Sequence, residues 1–423
     1  MPILFLAILH LKCKNTLVQD HFIERSIEPV IRRAAKEFPA IVLTGPRQSG
    51  KTTLLKHIFG DKYRYVSLEP PDIRMAATED PRGFMEIYPP PVIFDEIQYV
   101  PNLLPYIKEK IDARRDRYGQ FLITGSQNLL LVERVTESLA GRAAMLRLLP
   151  LSRREALGHP QRQLPWEAEM REPEKKTLPA GLWKEFLRGG YPELAAHPKR
   201  DAALWQSSYI QTYMERDVRS LRQVGGLTEF QSFLRALAVR SAQLLHLSEL
   251  SRDLGVAVNT VKAWLSVLEA THQVIILRPY FANIGKRLVK TPKVYFTDVG
   301  TLCFLAGLKD SEHAASGPMG GAIFETAIIT EVFKTIISRG IEPQMYFWRT
   351  STGVEVDLVV ESGRGLIPVE VKLSSTPKPA MAQGIKAFRG DFGDKVAEGY
   401  VIHTGDIRLP LGSGVTALPF VEL

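Results

Sequence analysis

The sequence predicts an α/β protein of several domains, and three stretches predict it. An apolar strand, a glycine-rich loop and a helix follow one another at residues 40–58. Residues 92–94 are a second apolar run that ends in two acids, as buried strands of a parallel sheet do at their carboxyl edge. Residues 354–373 alternate in polarity on both sides of a turn, which predicts a hairpin in a second sheet. A chain of 423 residues has room for roughly two to four domains.

The composition is that of an ordinary globular protein, because 45% of the residues are hydrophobic and 24% are charged. The net charge of +8 permits an anionic partner such as nucleic acid without requiring one. Cys13 and Cys303 match no metal-ligand spacing and exclude a disulfide framework, so we expect a reducing compartment, the cytoplasm.

The first residues contain a short apolar run that resembles part of a targeting segment. The apolar run Ile3–Leu9 is too short to cross a bilayer, no basic residue precedes it and no small-residue cleavage site follows it. A signal-like segment is one interpretation, and an extended leader or a misassigned start is the favoured one. We therefore expect an N-terminal extension at residues 1–21 and no contact with a membrane.

The loop after the first strand reads G-x-x-x-x-G-K-T from Gly45 to Thr52. Glycines let such a loop wrap closely around phosphate oxygens, and the next helix presents its positive N-terminus to them. Lys51 is expected to reach the β- and γ-phosphates and the Thr52 hydroxyl to help hold Mg²⁺. A chance glycine turn before a helix is the alternative. The predicted cofactors are ATP and Mg²⁺, and the predicted nucleotide-binding residues are Gly45, Pro46, Arg47, Gln48, Ser49, Gly50, Lys51, Thr52 and Thr53.

The acidic pair at the end of the second buried strand is the predicted partner of this loop. Asp95 would position Mg²⁺ and Glu96 would polarise the attacking water, which indicates hydrolysis as well as binding. An exposed acidic pair after a strand is the alternative interpretation. One strand and helix region separates the acidic pair from Lys51, and this spacing favours a role in the nucleotide site.

Two further candidates follow in the chain. The apolar strand at residues 121–126 ends in Thr124, Gly125 and Ser126 and could lie beside the first strand, which would place a hydroxyl or amide near the γ-phosphate. A plain turn after the strand is nearly as good an explanation. Arg142 follows a glycine near the end of the predicted core and is either an arginine finger for a neighbouring subunit, in a homo-oligomer, or a surface arginine.

These segments together resemble a known family. GPRQSGKTTLL, VIFDEIQ, LITGSQN and SLAGR occur in the order typical of bacterial and archaeal AAA+-type P-loop ATPases that carry a C-terminal domain of unknown function. GGYPE at residues 189–193 and TPKVYFTDVG at 291–300 also resemble that family. The resemblance covers about residues 22–380. It implies nucleotide binding. It also implies a role for Ser126, because the sensor strand of AAA+ ATPases places a polar group near the γ-phosphate.

The middle of the chain predicts two modules. Residues 151–243 form a helical lid, and residues 244–300 form a winged helix, with a helix pair that turns at Gly255 and a strand from Val274. The second helix carries one charged side chain, Lys262, so we expect contact with the shape and the phosphate backbone of DNA and not readout of its sequence. A module that contacts other proteins is the alternative. The predicted DNA-binding residues are Asn259, Lys262, Lys286, Arg287, Lys290 and Lys293.

The C-terminal hairpin carries a second cluster of candidate residues. A period of two puts Glu355 and Asp357 on one face of the first strand and Glu370 and Lys372 on one face of the second, beside a helix that carries Glu325. Two acids, a lysine and a helical glutamate could hold a divalent metal. The pattern resembles the PD-(D/E)xK nuclease core, which implies Glu325, Asp357, Glu370 and Lys372 as its site, although Val356 stands where that core often has proline. A hairpin with solvent-facing charges is the alternative.

The predicted architecture is therefore an α/β protein with an N-terminal extension (1–21), a P-loop AAA+-type ATPase core (22–150), a helical lid (151–243), a winged-helix domain (244–300) and a C-terminal PD-(D/E)xK-like domain (301–423). The predicted function is a Mg-dependent ATPase that processes or repairs duplex or branched DNA, as a helicase or branch-migration enzyme, with nuclease activity left open. The alternative is a nucleotide-dependent switch or signalling ATPase whose C-terminal modules bind protein partners.

Overall fold

The computed structural model describes residues 22–126, 137–167, 181–213, 226–280 and 290–423, and two β-sheets organise them. The first sheet lies in the N-terminal part and the second extends from residue 274 to residue 419. The mixed α/β architecture with a parallel core sheet confirms the predicted fold class at this level. Lys286, Arg287 and the predicted N-terminal extension lie outside the described residues.

The first sheet is parallel throughout, with the strand order β2-β3-β4-β1-β5. Its strands are β1 (Ala40–Gly45), β2 (Arg64–Ser67), β3 (Val92–Asp95), β4 (Phe121–Ser126) and β5 (Ala143–Arg147). The flanking helices are α1 (Glu28–Glu37), α2 (Lys51–Phe59), α3 (Pro71–Glu79), α4 (Pro81–Ile87) and α5 (Leu104–Ala113). Ser126 pairs with Gly45 across β4 and β1, which confirms that the strand ending in Ser126 lies beside the first strand.

Both faces of the first sheet are buried, which explains why its strands are apolar runs rather than alternating ones. Val42 and Phe121 pack on one face in a cluster with α4 and α5. Ile41, Leu43 and Leu122 pack on the other face against α1 and α2. The carboxyl ends of β1, β3 and β4 therefore come together at one edge, where the polar side chains that follow the strands lie.

Helices follow the first sheet. They are α6 (Arg153–Ala156), α7 (Leu182–Arg188), α8 (Pro192–Ala196), α9 (Ala202–Tyr213), α10 (Leu227–Ala238), α11 (Leu247–Leu254) and α12 (Val258–Ala270). The turn between α11 and α12 has Gly255 in the left-handed conformation, with φ of +66°. Trp264 of α12 is buried and its ring lies 5.5 Å from that of Phe230 and 5.3 Å from that of Phe233, both in α10. The helix pair thus shares a core with the preceding helix.

The second sheet has the strand order β12-β13-β11-β10-β9-β8-β6-β7. Its strands are β6 (Val274–Pro279), β7 (Lys293–Phe296), β8 (Met345–Arg349), β9 (Glu355–Ser362), β10 (Gly365–Lys372), β11 (Gly399–His403), β12 (Leu409–Gly412) and β13 (Val415–Pro419). The helices of this part are α13 (Val299–Leu305), α14 (Ser311–Ser316), α15 (Gly320–Ile337) and α16 (Gln383–Phe392). The antiparallel pairing of β9 with β10 confirms the predicted hairpin.

One sheet spans the boundary that the sequence predicts at residue 300. Strand β6 pairs antiparallel with β7 and, through Arg278 and Pro279, parallel with β8. The strands that follow the helix pair are therefore hydrogen-bonded to the C-terminal strands, and the two predicted modules share a backbone scaffold.

Two glycine-containing segments that lie far apart in the chain pack against each other. The Gly190 amide donates a 2.6 Å hydrogen bond to Asp298, and the Thr301 amide donates to the other carboxylate oxygen of Asp298 at 2.8 Å. A Cβ atom on Gly300 would lie 2.6 Å from the Gly189 backbone. This contact joins the helices after the first sheet to the start of α13.

Among the described helices, none combines the length and the apolar character needed to cross a membrane.

We expect Gly300→Ala to lower the free energy of unfolding by about 1–3 kcal/mol, because backbone at 2.6 Å must move to admit the methyl group. The matched control is Gly321→Ala at the start of α15, where an added Cβ meets nothing within 4 Å. Thermal unfolding of both variants measures the difference. Equal unfolding temperatures for the two variants would contradict the close packing of Gly300 on Gly189.

Candidate functional site

The glycine loop between β1 and α2 needs its two glycines for different reasons. A Cβ atom on Gly45 would lie 2.0 Å from the Leu148 carbonyl oxygen, so the site accepts no side chain. Gly50 precedes the first residue of α2 with φ of +91°, a conformation that other residues rarely adopt. The loop therefore leads directly into the N-terminus of α2, where free amide groups favour anions.

Lys51 is buried and lies inside this loop. Its Nζ atom donates to the carbonyl oxygens of Gly45 at 3.0 Å and Pro46 at 2.9 Å. Of the other predicted loop residues, Ser49 is buried, whereas Gln48 and Thr53 are exposed. The ammonium group thus lies within the loop on two of its carbonyl oxygens, and its contact with phosphate stays a prediction.

Asp95 is the buried acid of the site, and hydroxyl groups from three elements hold its carboxylate. The Thr52 hydroxyl donates to Oδ1 at 2.8 Å and the Tyr65 hydroxyl to Oδ2 at 2.8 Å, and the Thr124 hydroxyl also donates to Oδ1. The structure therefore brings Thr52 and Asp95 together as predicted. Sequence analysis missed Tyr65, whose only signal was its place two residues before the end of β2.

Glu96 follows Asp95 in the left-handed conformation, with φ of +60°. Its amide donates to the Thr124 hydroxyl at 3.2 Å, and its carboxylate accepts a hydrogen bond from the Gln98 side-chain amide. Thr124 of β4 thus has a hydroxyl that joins the two acids. The unusual backbone conformation at Glu96 turns the chain so that adjacent acids have different partners.

The remaining two residues of the predicted catalytic set have different surroundings. Ser126 ends β4 opposite Gly45, and its role stays a prediction. Arg142 forms a two-point ion pair with Asp112 of the same chain, with distances of 2.7 and 2.9 Å. The hydrogen bond and charge of Arg142 hold the pKa of Asp112 below its usual range. An arginine finger would have to exchange this partner for one on a neighbouring subunit.

Arg25 is a buried residue that the sequence did not point to. It supports the glycine loop through the carbonyl oxygen of Ser49. Its guanidinium donates to the carbonyl oxygens of Ser49 at 2.8 Å and Leu149 at 2.7 Å and to the Glu155 carboxylate at 3.2 Å. Burial alone would raise the pKa of Glu155, but the Arg25 charge and the amides of Ser152 and Ser26 hold it below the ordinary value. Glu155 is therefore an ionised partner for Arg25 at neutral pH.

The turn after α12 lies within electrostatic range of the nucleotide loop. His272 has φ of +54°, and its Nε2 atom is buried. Burial, followed by the positive charges of Arg147 and Lys51, lowers the pKa of His272 to about 3. A neutral imidazole from the helix-pair segment thus lies near the cations of the first domain.

The acids of the C-terminal hairpin converge, as the two-residue period predicts, but they converge on a lysine. The Lys293 ammonium bonds to Glu355, lies 3.0 Å from Glu325 Oε1 and lies 3.8 Å from Asp357 Oδ1. Lys293 begins β7 and is only 3% exposed. The prediction that Lys293 belongs to a basic DNA-binding edge is wrong, because its charge is buried among carboxylates.

Glu370 and Lys372 lie beside this lysine-centred cluster. Glu370 accepts a 3.3 Å hydrogen bond from the Asp357 amide, and its other oxygen lies 3.3 Å from Lys372 Nζ. Burial and the neighbouring Asp357 charge raise the pKa of Glu325 to about 7 and place the pKa of Glu370 well above its ordinary value. These groups line one side of an open cleft of about 840 Å³.

Within the described ranges, no three His, Cys, Asp or Glu side chains are arranged so that they could hold a metal ion. The prediction of a divalent-metal site at Glu325, Asp357, Glu370 and Lys372 therefore needs correction. The spacing of the acids is as expected, but the Lys293 side chain from a neighbouring strand already supplies the positive charge.

Three of the other predicted DNA-binding residues are in the described structure, and all of them are exposed. Asn259 and Lys262 lie on α12, and Lys290 precedes β7. Lys290 lines a pocket of about 470 Å³ together with Arg278 and Tyr280.

We expect Arg25→Met to lower the free energy of unfolding by about 3–5 kcal/mol at neutral pH, because it leaves the buried Glu155 carboxylate without its cation. The folded-state pKa of Glu155 is lowered, so this stabilisation is present above its unfolded value of about 4.3 and is lost as the pH falls through the folded value. The deficit of the variant should therefore shrink in acid.

Denaturant unfolding at neutral and acidic pH measures this effect. The control is Arg32→Met, which breaks a largely exposed helix pair with Glu28 and should cost about 0.3–0.5 kcal/mol. Equal costs for the two substitutions would show that the Arg25–Glu155 pair does not support the loop.

Comparison with known proteins gives the chain relatives over most of its length. Residues 37–157 match the model of an AAA domain, and residues 180–312 and 320–423 match two domains of unknown function, DUF8612 and DUF4143. The uncharacterized protein Rv2008c of Mycobacterium tuberculosis is 32% identical over 396 residues, which are 92% of this chain and 82% of that protein. The uncharacterized protein MJ1544 of Methanocaldococcus jannaschii is 23% identical, over 80% of this chain and 76% of its own length.

Among solved structures, the chain is similar to the Walker-type ATPase paby2304 of Pyrococcus abyssi. The identity is 14% and the TM-score is 0.45, over 68% of this chain and 97% of that one. The AAA domain and the 32% identity to Rv2008c carry the assignment. The chain belongs to one family with Rv2008c, and that family is a P-loop ATPase family.

Proposed function

We propose that the protein hydrolyses ATP with Mg²⁺ at the loop between β1 and α2. The observation that carries this proposal is the hydrogen bond between Thr52 and Asp95, which joins the loop to the acidic end of β3. A hydroxyl and a carboxylate are hard oxygen donors of the kind that Mg²⁺ prefers. A single protein carboxylate is sufficient there, because phosphates and waters usually complete the coordination of nucleotide-bound Mg²⁺.

Each residue of the site has a distinct task in this proposal. When bound, Mg·ATP would present its γ-phosphate to a water molecule, whose attack would break the bond to the β-phosphate and release ADP and phosphate. Lys51 exchanges its carbonyl partners for phosphate oxygens, and Glu96 orients and polarises the water. Ser126 contributes from the end of β4, and Arg142 acts as a finger from a neighbouring copy of the chain after release from Asp112.

We further propose that the protein acts on duplex or branched DNA through the predicted winged-helix domain, residues 244–300. Helix α10, the helix pair and the antiparallel strands β6 and β7 follow one another as the parts of a winged helix do. Exposed Lys262 and Lys290 suit contacts to phosphates, and the single lysine on α12 suits binding that does not depend on sequence. DNA processing or repair in the cytoplasm fits this arrangement.

A second candidate function is a nucleotide-dependent switch that binds protein partners. The burial of Lys293 favours it, because it removes one cation from the basic edge on which DNA binding would depend. Salt dependence and DNA stimulation distinguish the two candidates.

We expect Lys51→Ala to abolish ATP hydrolysis and Glu96→Gln to reduce the turnover number by about 10²–10⁴-fold while nucleotide binding is retained. The physical reason is that Glu96 acts on water, whereas Lys51 contacts the nucleotide. Phosphate release and fluorescent-nucleotide binding measure the two effects. The control Glu86→Gln alters an exposed carboxylate of α4 and should leave both unchanged. Full hydrolysis by the Glu96→Gln variant would refute the assigned role.

We expect duplex or branched DNA to stimulate the ATPase several-fold and this stimulation to weaken as salt rises. DNA affinity falls as salt rises, and this dependence should be weaker in the double variant Lys262→Ala, Lys290→Ala. On a plot of the logarithm of affinity against the logarithm of salt concentration, the magnitude of the negative slope should fall by about 1 for each phosphate that is no longer neutralised. Lys36→Ala, an exposed lysine of α1, is the matched control. An active enzyme that ignores DNA at every salt concentration would contradict DNA binding and favour the switch.

A further inference from the structure

The lysine at the centre of the C-terminal acidic cluster comes from outside the hairpin that supplies most of the acids. Lys293 is the first residue of β7, where it pairs with Leu277 of β6 and forms an isolated bridge with Leu244. Glu325 comes from α15, and Glu355 and Asp357 come from β9. One ammonium group thus meets carboxylates from two elements of the C-terminal domain.

The ammonium group of Lys293 is paired with carboxylates that a divalent cation would need as ligands. Mg²⁺ in proteins requires near-octahedral oxygen ligands at about 2.0–2.1 Å, whereas a lysine ammonium donates up to three hydrogen bonds to oxygens nearly 1 Å farther away. Two of the acids that a nuclease-like metal would use face Lys293 Nζ, Glu325 at a hydrogen-bond distance of 3.0 Å and Asp357 at an ion-pair distance of 3.8 Å. The acids therefore fit an organic cation and not a metal ion.

Further donors also reach the carboxylates of the cluster. Asp357 Oδ2 accepts a 2.8 Å hydrogen bond from the Val371 amide, and Glu325 Oε1 accepts one of 2.6 Å from the Tyr295 hydroxyl. Arg349 donates to Glu355 Oε2 at 2.5 Å. A metal would have to compete with a buried ammonium group and with these donors for the same carboxylates.

We propose that Lys293 is the resident cation of this cluster and that the C-terminal domain of this chain uses no divalent metal there. Lys293 is buried, so its charge cannot leave without a shift of β7, which is paired with β6 directly after the helix pair. The cluster is an ion-paired joint between the helix-pair segment and the C-terminal domain. The domain then serves as a binding platform and not as a metal-dependent nuclease.

Removal of the ammonium group would free these carboxylates to move together around another cation. Loss of the ammonium group leaves Glu325, Glu355 and Asp357 facing one another in a cleft that is open to solvent. Lys293→Met keeps most of the side-chain length and removes the charge, so the variant should gain a divalent-cation site that the natural protein lacks. Lys293→Arg keeps the charge and should gain none.

The experiment titrates Mn²⁺ into the nucleotide-free full-length chain and counts bound ions by electron paramagnetic resonance of the free ion. The natural protein, Lys293→Arg, Lys293→Met and the double variant Lys293→Met, Asp357→Asn are compared, so the ATP-site background cancels in the differences. We expect one additional Mn²⁺ in Lys293→Met alone and a rise of its unfolding temperature with Mn²⁺. The double variant should lose both effects.

Two results would overturn the proposal. One is a Mn²⁺ site in the natural protein that Asp357→Asn removes, which would show that metal and Lys293 share the cluster. The other is a folded Lys293→Met variant that binds no additional Mn²⁺. If Lys293→Met does not fold, the natural protein and Asp357→Asn decide the question, since equal Mn²⁺ binding by the two supports the proposal. The ATPase assay is independent of every one of these outcomes.

Discussion

The buried carboxylate of Asp95 is the constraint on which the nucleotide site depends. A charge removed from water must be hydrogen-bonded, and here hydroxyls of Thr52, Tyr65 and Thr124 supply the bonds. These residues belong to α2, β2 and β4, so satisfying one charge fixes the positions of three elements relative to β3. The same arrangement aligns the glycine loop with the acids that would act on the nucleotide.

The contacts around this site connect it to the rest of the chain. Arg25 joins the loop to Glu155 at the end of the first domain, and Gly190 joins the next helices to Asp298. Burial, and then the charges of Arg147 and Lys51, lower the pKa of His272 in the turn between α12 and β6. Since β6 and β7 belong to the C-terminal sheet, the helix pair and the distant acidic cluster are joined through one set of paired strands.

Local patterns predicted most of the elements but few of their partners. The runs at Ile41–Leu43 and Val92–Phe94 identified buried parallel strands because both faces of that sheet are covered. The sequence also suggested that the strand ending in Ser126 lies beside the first strand, and the structure adds the register, Ser126 opposite Gly45. Tyr65 and Arg25 escaped prediction, because a lone tyrosine in a strand and a lone arginine before a helix have no spacing that points to Asp95 or to the Ser49 carbonyl.

The partners of the charged residues were the least predictable feature, and Lys293 shows why. Sequence spacing places Glu355 and Asp357 on one face of a strand, but it does not say which cation faces them, because that is decided by the pairing of a different strand. Four basic residues near the predicted wing looked equivalent in sequence, and the one that begins β7 points into the protein. A buried ammonium among acids is retained only if the fold holds every partner in place. The register of β7 against β6 therefore determines whether the C-terminal acids form a metal site or an ion-paired joint.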